Sequence, residues 1–486
     1  MNGFCTLREA IQNANNNAHT NIDCIAGSGA DTITFSGAGI GTITLGSMLP
    51  AITDTNGLTI NGASQTVTIS GNDLVQVMEV NSGASLTLTG LQIVHGHSSN
   101  GGGIANEGTL TIINSTFSHN GAVSIGGGIM NNGTLSISSS LFSFNAAGTD
   151  GGGIYNNSGT LNTYSSVFSD NIAFSHGGGI MNFATATIGN NSSFLRNRAT
   201  LAGGGINNGG AGELTVINST FSGNFSTSAN GGGIYTSSGT DSVTGSTFSG
   251  NTASSGSGGG IFNDNTITVT TSTFNSNNTA INGGGIFSNG GFLGVTSTTF
   301  SGNSATNEGG GIANLGGITI ANSTFSGNSA ANNGGGIFSG AVTMTLKNST
   351  LSGNTAVSGI GGGIAVIGIG GTLDYINTII ANSPAGGDCS SSSIGSNTKN
   401  LVGDNTCSPS LHGDPNLGPL ANNGGSTQTF RLLPGSPAKD AGDDATCAAS
   451  PVNNLDQRGV TRPQGSHCDI GAIEQGYPLY LPLIMR

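Results

Sequence analysis

Over residues 101–382 the chain repeats short runs in which apolar and polar residues alternate, and each set of runs returns every 25–28 residues. The first set reads Gly101-Gly-Gly-Ile-Ala-Asn106, then Thr109-Leu-Thr-Ile112, then Ser115-Thr-Phe-Ser-His-Asn120. Alternation over four to six residues is the mark of a half-buried strand, whereas no apolar residues fall at helical spacing. Gly-, Ser- and β-branched-rich runs are also poor helix formers. A fixed period of this length marks a solenoid. Three short strands per coil of about 25–27 residues predict an all-β, right-handed parallel β-helix, a pectin-lyase-like solenoid whose coils stack at ~4.8 Å.

The register within each set is tight. Gly-Gly-Gly-Ile occurs eleven times, first at Gly101 and last at Gly361. Phe-x-x-Asn follows at Phe117, Phe142, Phe168, Phe194, Phe221, Phe248, Phe274, Phe300 and Phe325, and Leu351 and Ile379 take the aromatic place in the last two sets. The apolar residues predict a core along the axis, and Asn120, Asn145, Asn171 and onward to Asn382 predict a ladder of stacked amides. Before residue 101, segments such as Thr32-Ile-Thr-Phe35 and Leu86-Thr-Leu88 read as strands of three or four less regular coils, making about fourteen in all. Thr6-x-x-Glu9 is a capping box ahead of Leu7, Ala10, Ile11 and Ala14, so a short helix is expected to cap the N-terminal end. Proline is absent between Pro50 and Pro384, and cysteine between Cys24 and Cys389. These shifts divide the chain into a cap over 1–30, the solenoid over 31–383, a loop-rich C-terminal cap over 384–476 and a tail over 477–486.

Several of these segments are similar to known motifs. Cys5-Thr-Leu-Arg-Glu-Ala-Ile11 resembles the CSLREAI motif that opens many bacterial secreted β-helix proteins. The alternating tetrads and Phe-x-x-Asn segments resemble the GGAI and FxxN repeats of chlamydial polymorphic outer membrane proteins. Asp414-Pro-Asn-Leu-Gly-Pro-Leu-Ala-Asn-Asn-Gly-Gly425, Asp456-Gln-Arg-Gly459 and Cys468-Asp-Ile-Gly-Ala-Ile-Glu474 resemble a choice-of-anchor Q domain. The resemblance implies an exported protein, cell-surface-associated or secreted, with a structural or adhesive role. The chain itself opens without the basic and apolar regions of a signal peptide. In a chain of secreted type, the six cysteines pair most simply as Cys5–Cys24, Cys389–Cys407 and Cys447–Cys468.

Charge narrows the partners. Only 10 Lys and Arg stand against 23 Asp and Glu, a net charge of −13. Nucleic acid and anionic membrane surfaces need clustered cations and are not expected. No apolar run of eighteen residues encodes a transmembrane helix. No cofactor is expected, and no Cys-x-x-Cys offers a zinc site.

Catalysis is weighed against binding. The alternative to an adhesive role is a carbohydrate-active β-helix enzyme, a polysaccharide lyase or glycoside hydrolase, which needs clustered carboxylates. The acids of the repeats fall about one per coil, mostly at different registers, so no catalytic residue is assigned and the chain is not expected to be an enzyme. Asp170 and Arg196 share a register and predict an inter-coil ion pair, and His95 and His119 predict rings stacked ~5 Å apart. Alternation from the inward Ile sends the next residue outward, so Tyr155, Tyr235, Phe262, Phe287 and Phe338 are the candidate ligand-binding strip. The expected partners are a polysaccharide or a host or neighbouring-cell surface protein. Asp440, Asp443, Asp444, Asp456, Asp469 and Glu474, with Arg458 and Arg462, read as salt bridges and turn caps of the C-terminal module, with a calcium site as the alternative.

Overall fold

Among the described residues, eleven successive coils, from the strand at Met78 to the strand ending at Ala356, close with four parallel strands rather than three. In the second regular coil these are an Ile strand (Ile129–Asn131), a long strand (Thr134–Ser138), a Phe strand (Leu141–Ser143) and a short strand (Ala146–Ala147). The fourth is two residues long, too short for alternation to show in the sequence. It buries only the small Ala147, which pairs with Ala173 as that pairs with Ala199. The computed structural model describes residues 4–36, 41–63, 65, 67–340 and 342–476; the tail over 477–486 lies outside the described residues. Two compact units result, residues 1–242 with 246–265, and residues 243–245 with 266–486. The architecture is a parallel β-solenoid of about fourteen turns with almost no helix, consistent with a right-handed β-helix.

In the first unit the tetrad isoleucines pair in unbroken register, Ile129 with Ile154, Ile180, Ile206, Ile234 and Ile261 in turn. The first glycine of each tetrad holds a positive φ, 69° at Gly151. A Cβ on the second, Gly152, would strike the carbonyl of Gly178 in the next coil. Only glycine satisfies both demands.

The Phe strands supply the core. Phe117, Phe142, Phe168, Phe194, Phe221 and Phe248 stack nearly parallel, with ring centroids 4.8–5.0 Å apart. All are fully buried, each removing enough apolar surface to contribute roughly 2–3 kcal/mol. In the second unit Phe274, Phe300 and Phe325 do the same at 4.8 and 4.7 Å. The corner after each Phe strand carries the amide ladder. Asn120, Asn145, Asn171, Asn197 and Asn224 each donate Nδ2 to the Oδ1 of the next rung, ending on Asn251, at 2.9–3.0 Å. The second unit repeats it from Asn277 to Asn354. Asn382 is exposed and bonds to Ser352 Oγ at 3.1 Å instead, so the ladder stops one rung short of the sequence expectation.

A second ladder follows each Ile strand. Asn106, Asn131, Asn156 and Asn182 donate to the next Oδ1 at 2.6–2.7 Å, ending on Asn208. Thr236 stands where another Asn would come, and a buried carboxylate fills the gap. Asp241 occupies an inward position of its strand and accepts from Asn208 Nδ2 (3.1 Å), the Leu214 backbone N–H (2.8 Å) and the Thr236 hydroxyl. Burial pushes its carboxyl above the usual range despite these donors. An acid whose folded-state pKa is raised adds stability below its unfolded pKa and loses it as pH rises through the folded value. Asp241→Asn should therefore gain on the wild type as pH rises from about 4 towards neutrality. Denaturant titrations of both proteins across that range would show it; a stability difference independent of pH would contradict it.

The two ends depart from one another. The N-terminal helix, Leu7–Asn16, has the expected capping box, with the Thr6 backbone N–H and hydroxyl both donating to Glu9. It buries Ile11 and Ala14. Arg8 donates to the carbonyls of Ser47 and Met48, and Asn15 to that of Ala51, which seats the helix on the first coils. The Cys5–Cys24 disulfide closes the segment.

At the other end parallel pairing continues past residue 383. Cys389–Ser391, Ile394–Thr398 and Leu401–Val402 extend the Ile, long and Phe sheets of the second unit. Residues 415–476 do not sit over an end. They fold back along the outer face of the Phe strands, where Gln457 bonds both Thr299 and Thr324, and Ala472 N–H donates to Thr350. Ile379, Ala381 and Leu401 meet Leu432, Ala438, Ile470 and Ile473 there in one apolar cluster. Cys389–Cys407 and Cys447–Cys468 are disulfides. Arg462 is fully buried, 3.6 Å from Glu474, and Arg458 pairs with Asp456 at 2.7 Å, so these charges hold the segment together. Asp443 caps the short helix Asp444–Ala448.

Candidate binding face

The strip expected to face solvent is covered. Phe262, Phe287 and Phe338 are only 5%, 6% and 8% exposed, while Tyr155 and Tyr235 are half-buried. Alternation does turn these residues away from the core, but the segment entering each tetrad folds across the strand that follows. Asn207, in the same register, donates to the Ala202 carbonyl at 3.3 Å, and the first tetrad glycines pack on the strand backbone. The aromatic residues also pack on one another. Tyr235 lies 5.1 Å from Phe262, centroid to centroid, and its hydroxyl donates to Asp264 at 3.1 Å. Burial, then the Asp264 charge, pushes the Tyr235 phenol up to about 12. Burial and Asp150 raise Tyr155 as well. Phe262, Phe287 and Phe338 thus pack on the Ile sheet, and only Tyr155 and Tyr235 keep part of their surface open to solvent.

The exposed chemistry lies one corner away, at the second residue after each rung Phe. In the first unit this position places His95, His119, Phe144, Asp170 and Arg196 in successive coils, all with φ between 50° and 57°. Side chains rarely adopt that left-handed conformation, which costs a residue with a Cβ about 1–2 kcal/mol. The next two coils have Gly223 and Gly250 there, and the second unit has Ser276 (φ 55°), then Gly302, Gly327 and Gly353. Large functional side chains thus stand where glycine suits the backbone.

Their contacts fall into two groups. Asp73 lies 3.1 Å from His95 Nδ1. The His95 and His119 rings stack at 5.4 Å, as their shared register predicts, and His119 stacks on Phe144 at 5.2 Å. Asp170 and Arg196 form the expected ion pair, bidentate at 2.9 and 2.8 Å. The Asp170 carboxylate raises the Arg196 guanidinium further above its ordinary value.

The outer face of the short strands continues this surface. Ile172 pairs in register with Arg198, and Arg198 with Phe225. The Arg198 guanidinium lies 5.6 Å from the Phe225 ring centroid, and its Nε donates to Thr227 Oγ1 at 3.3 Å. Phe144 is 55% exposed, Phe174 64% and Val123 65%. Two of the ten Lys and Arg in the chain therefore share one aromatic patch. A contiguous exposed patch of this composition marks an interaction site rather than ordinary surface.

The sequence held a signal for it. The rung motif reads Phe-Ser-Gly-Asn at 221–224, 248–251, 300–303 and 325–328 but Phe-Ser-His-Asn, Phe-Ser-Phe-Asn, Phe-Ser-Asp-Asn and Phe-Leu-Arg-Asn at residues 117–120, 142–145, 168–171 and 194–197. Registers identify His95 with His119 and Asp170 with Arg196 as pairs, but Phe144, which extends the histidine stack, escapes a pairwise reading.

Residues 218–237, 297–315 and 322–340 match the Chlamydia polymorphic membrane protein (Chlamydia_PMP) repeat. Each match runs from the rung Phe through the tetrad into the Ile strand. No curated protein matches the chain.

Proposed function

We propose that this chain is an extracellular β-helix protein, cell-surface-associated or secreted, with an adhesive and non-enzymatic role. The observation that carries this reading is the match of three coils to the repeat of a membrane protein family. Two further features support it. All six cysteines are paired, the state expected outside the reducing cytosol. The solenoid spends its length on repeated rungs that present long faces, the usual arrangement for recognition by repeat proteins. The resemblance of residues 414–474 to a choice-of-anchor domain adds a route to surface attachment.

The carboxylates favour binding over catalysis. Asp170 is tied to Arg196, Asp241 is buried in the second Asn ladder, and Asp264 holds Tyr235. Antibodies raised against residues 297–340 test the location. Labelling of intact cells that produce the protein is expected, or recovery from the culture medium. A signal that requires permeabilised cells and stays with the cytosolic fraction would overturn the reading.

A further inference from the structure

We propose that the strip of the first unit carrying Phe144, Phe174, Arg198 and Phe225 binds a linear acidic polysaccharide that runs from coil to coil. The inference rests on the extracellular reading above, since such polymers lie outside the cell. Two observations converge on this ligand. The strip repeats with the coil spacing, ~4.8 Å, and a pyranose unit is about that long, so a periodic polymer meets equivalent positions in successive coils. Exposed aromatic rings suit the apolar C–H faces of sugars, and the neighbouring Ser118, Thr200 and Thr227 offer hydroxyl partners. Against this, the molecule carries a net charge of −13, so most of its surface repels a polyanion and a local cation must hold it.

Arg196 and Arg198 are the exception, and their roles differ. Arg196 is neutralised by its bidentate contact with Asp170. Arg198 has no ion pair within 4 Å among the described residues; a hydroxyl and a ring face position its guanidinium. A carboxylate on the sugar completes that arrangement with charge-assisted hydrogen bonds. Phe144 and Phe174, more than half exposed, flank the track.

The test is calorimetry of the whole chain with polygalacturonate, alginate and hyaluronate, with dextran as the neutral polymer. At least one acidic polymer is expected to bind, more weakly as salt rises, and dextran is not. Arg198→Gln and Phe174→Ala should each weaken binding about tenfold, the equivalent of one such contact. Lys347→Gln in the second unit should leave it unchanged. Both strip residues are exposed, and unchanged melting temperatures establish that the variants fold. Failure of all three acidic polymers to bind, equal binding of dextran, or indifference to both strip variants would overturn the proposal. So would a concentration-dependent dimer without glycan that Phe174→Ala abolishes, which would make the strip a self-association surface. Surface labelling with no polyanion binding would leave the extracellular reading standing and remove this one.

Discussion

Replacing Asn171 by alanine should destabilise the protein more than any exposed substitution, by roughly 3–6 kcal/mol. The fully buried amide takes part in four hydrogen bonds. Its Oδ1 accepts from the backbone N–H and Nδ2 of Asn145, and its Nδ2 donates to Asn197 Oδ1 and the Phe142 carbonyl. Alanine leaves these partners without water or protein to bond, and each orphaned buried group costs about 1–3 kcal/mol. Asn171→Asp keeps the shape but turns the donating end into an acceptor that faces two other acceptors, and it buries a charge. It should be at least as damaging at neutral pH and recover partly in acid, where the carboxyl is protonated. Chemical denaturation of the three proteins at two pH values measures this. A loss below about 1 kcal/mol for alanine would mean that the ladder bonds do not form.

The second large effect belongs to the stacked rings. Phe248 is fully buried with its ring 4.8 Å from that of Phe221, so Phe248→Ala should leave a cavity costing about 3–5 kcal/mol. The neighbouring Thr247 is exposed, and Thr247→Ala should cost less than about 0.5 kcal/mol. The contrast between adjacent positions tests the inward register directly. Equal small losses at both would place the ring outside the core. Solenoid coils contact chiefly their neighbours, so cooperativity can break near the damaged coil and the denaturation slope should be watched alongside the midpoint.

Legibility in the sequence followed the strength of repetition. Ile, Phe and Asn at a fixed interval specify coil, core and first ladder because each side chain meets its own kind one coil on. The second ladder was hidden because Asn106 and its equivalents sit at strand ends, where Asn also reads as an ordinary turn residue. The short strand was hidden by its length, and the inward Asp241 by a residue type that normally faces water. Two features needed more than one coil to be seen. The course of residues 415–476 depends on Gln457 reaching Thr299 and Thr324, contacts more than 130 residues apart in sequence. Likewise Phe262 and Phe287 point away from the core, as alternation requires, yet the segment folded over the strand removes them from solvent. Period-two alternation reports the side of a strand and not what lies beyond it.

The candidate face was half legible. The two pairs read from register both formed, because register alone brings equivalent positions of adjacent coils together. Their membership in one surface required the left-handed corner, which turns each side chain outward where glycine would leave nothing. A residue that tolerates that conformation without a structural return is better explained by what it presents to solvent.

Hydrogen exchange of the whole protein, with and without bound acidic polysaccharide, is the most direct measurement of where this solenoid meets its partner. Protection is expected in the short-strand segments 144–147, 170–174, 196–200 and 223–227, with little change at the Ile strands holding Tyr235, Phe262 and Phe287. Protection confined to the Ile strands, or spread evenly over both units, would contradict the assignment of the binding face to this corner.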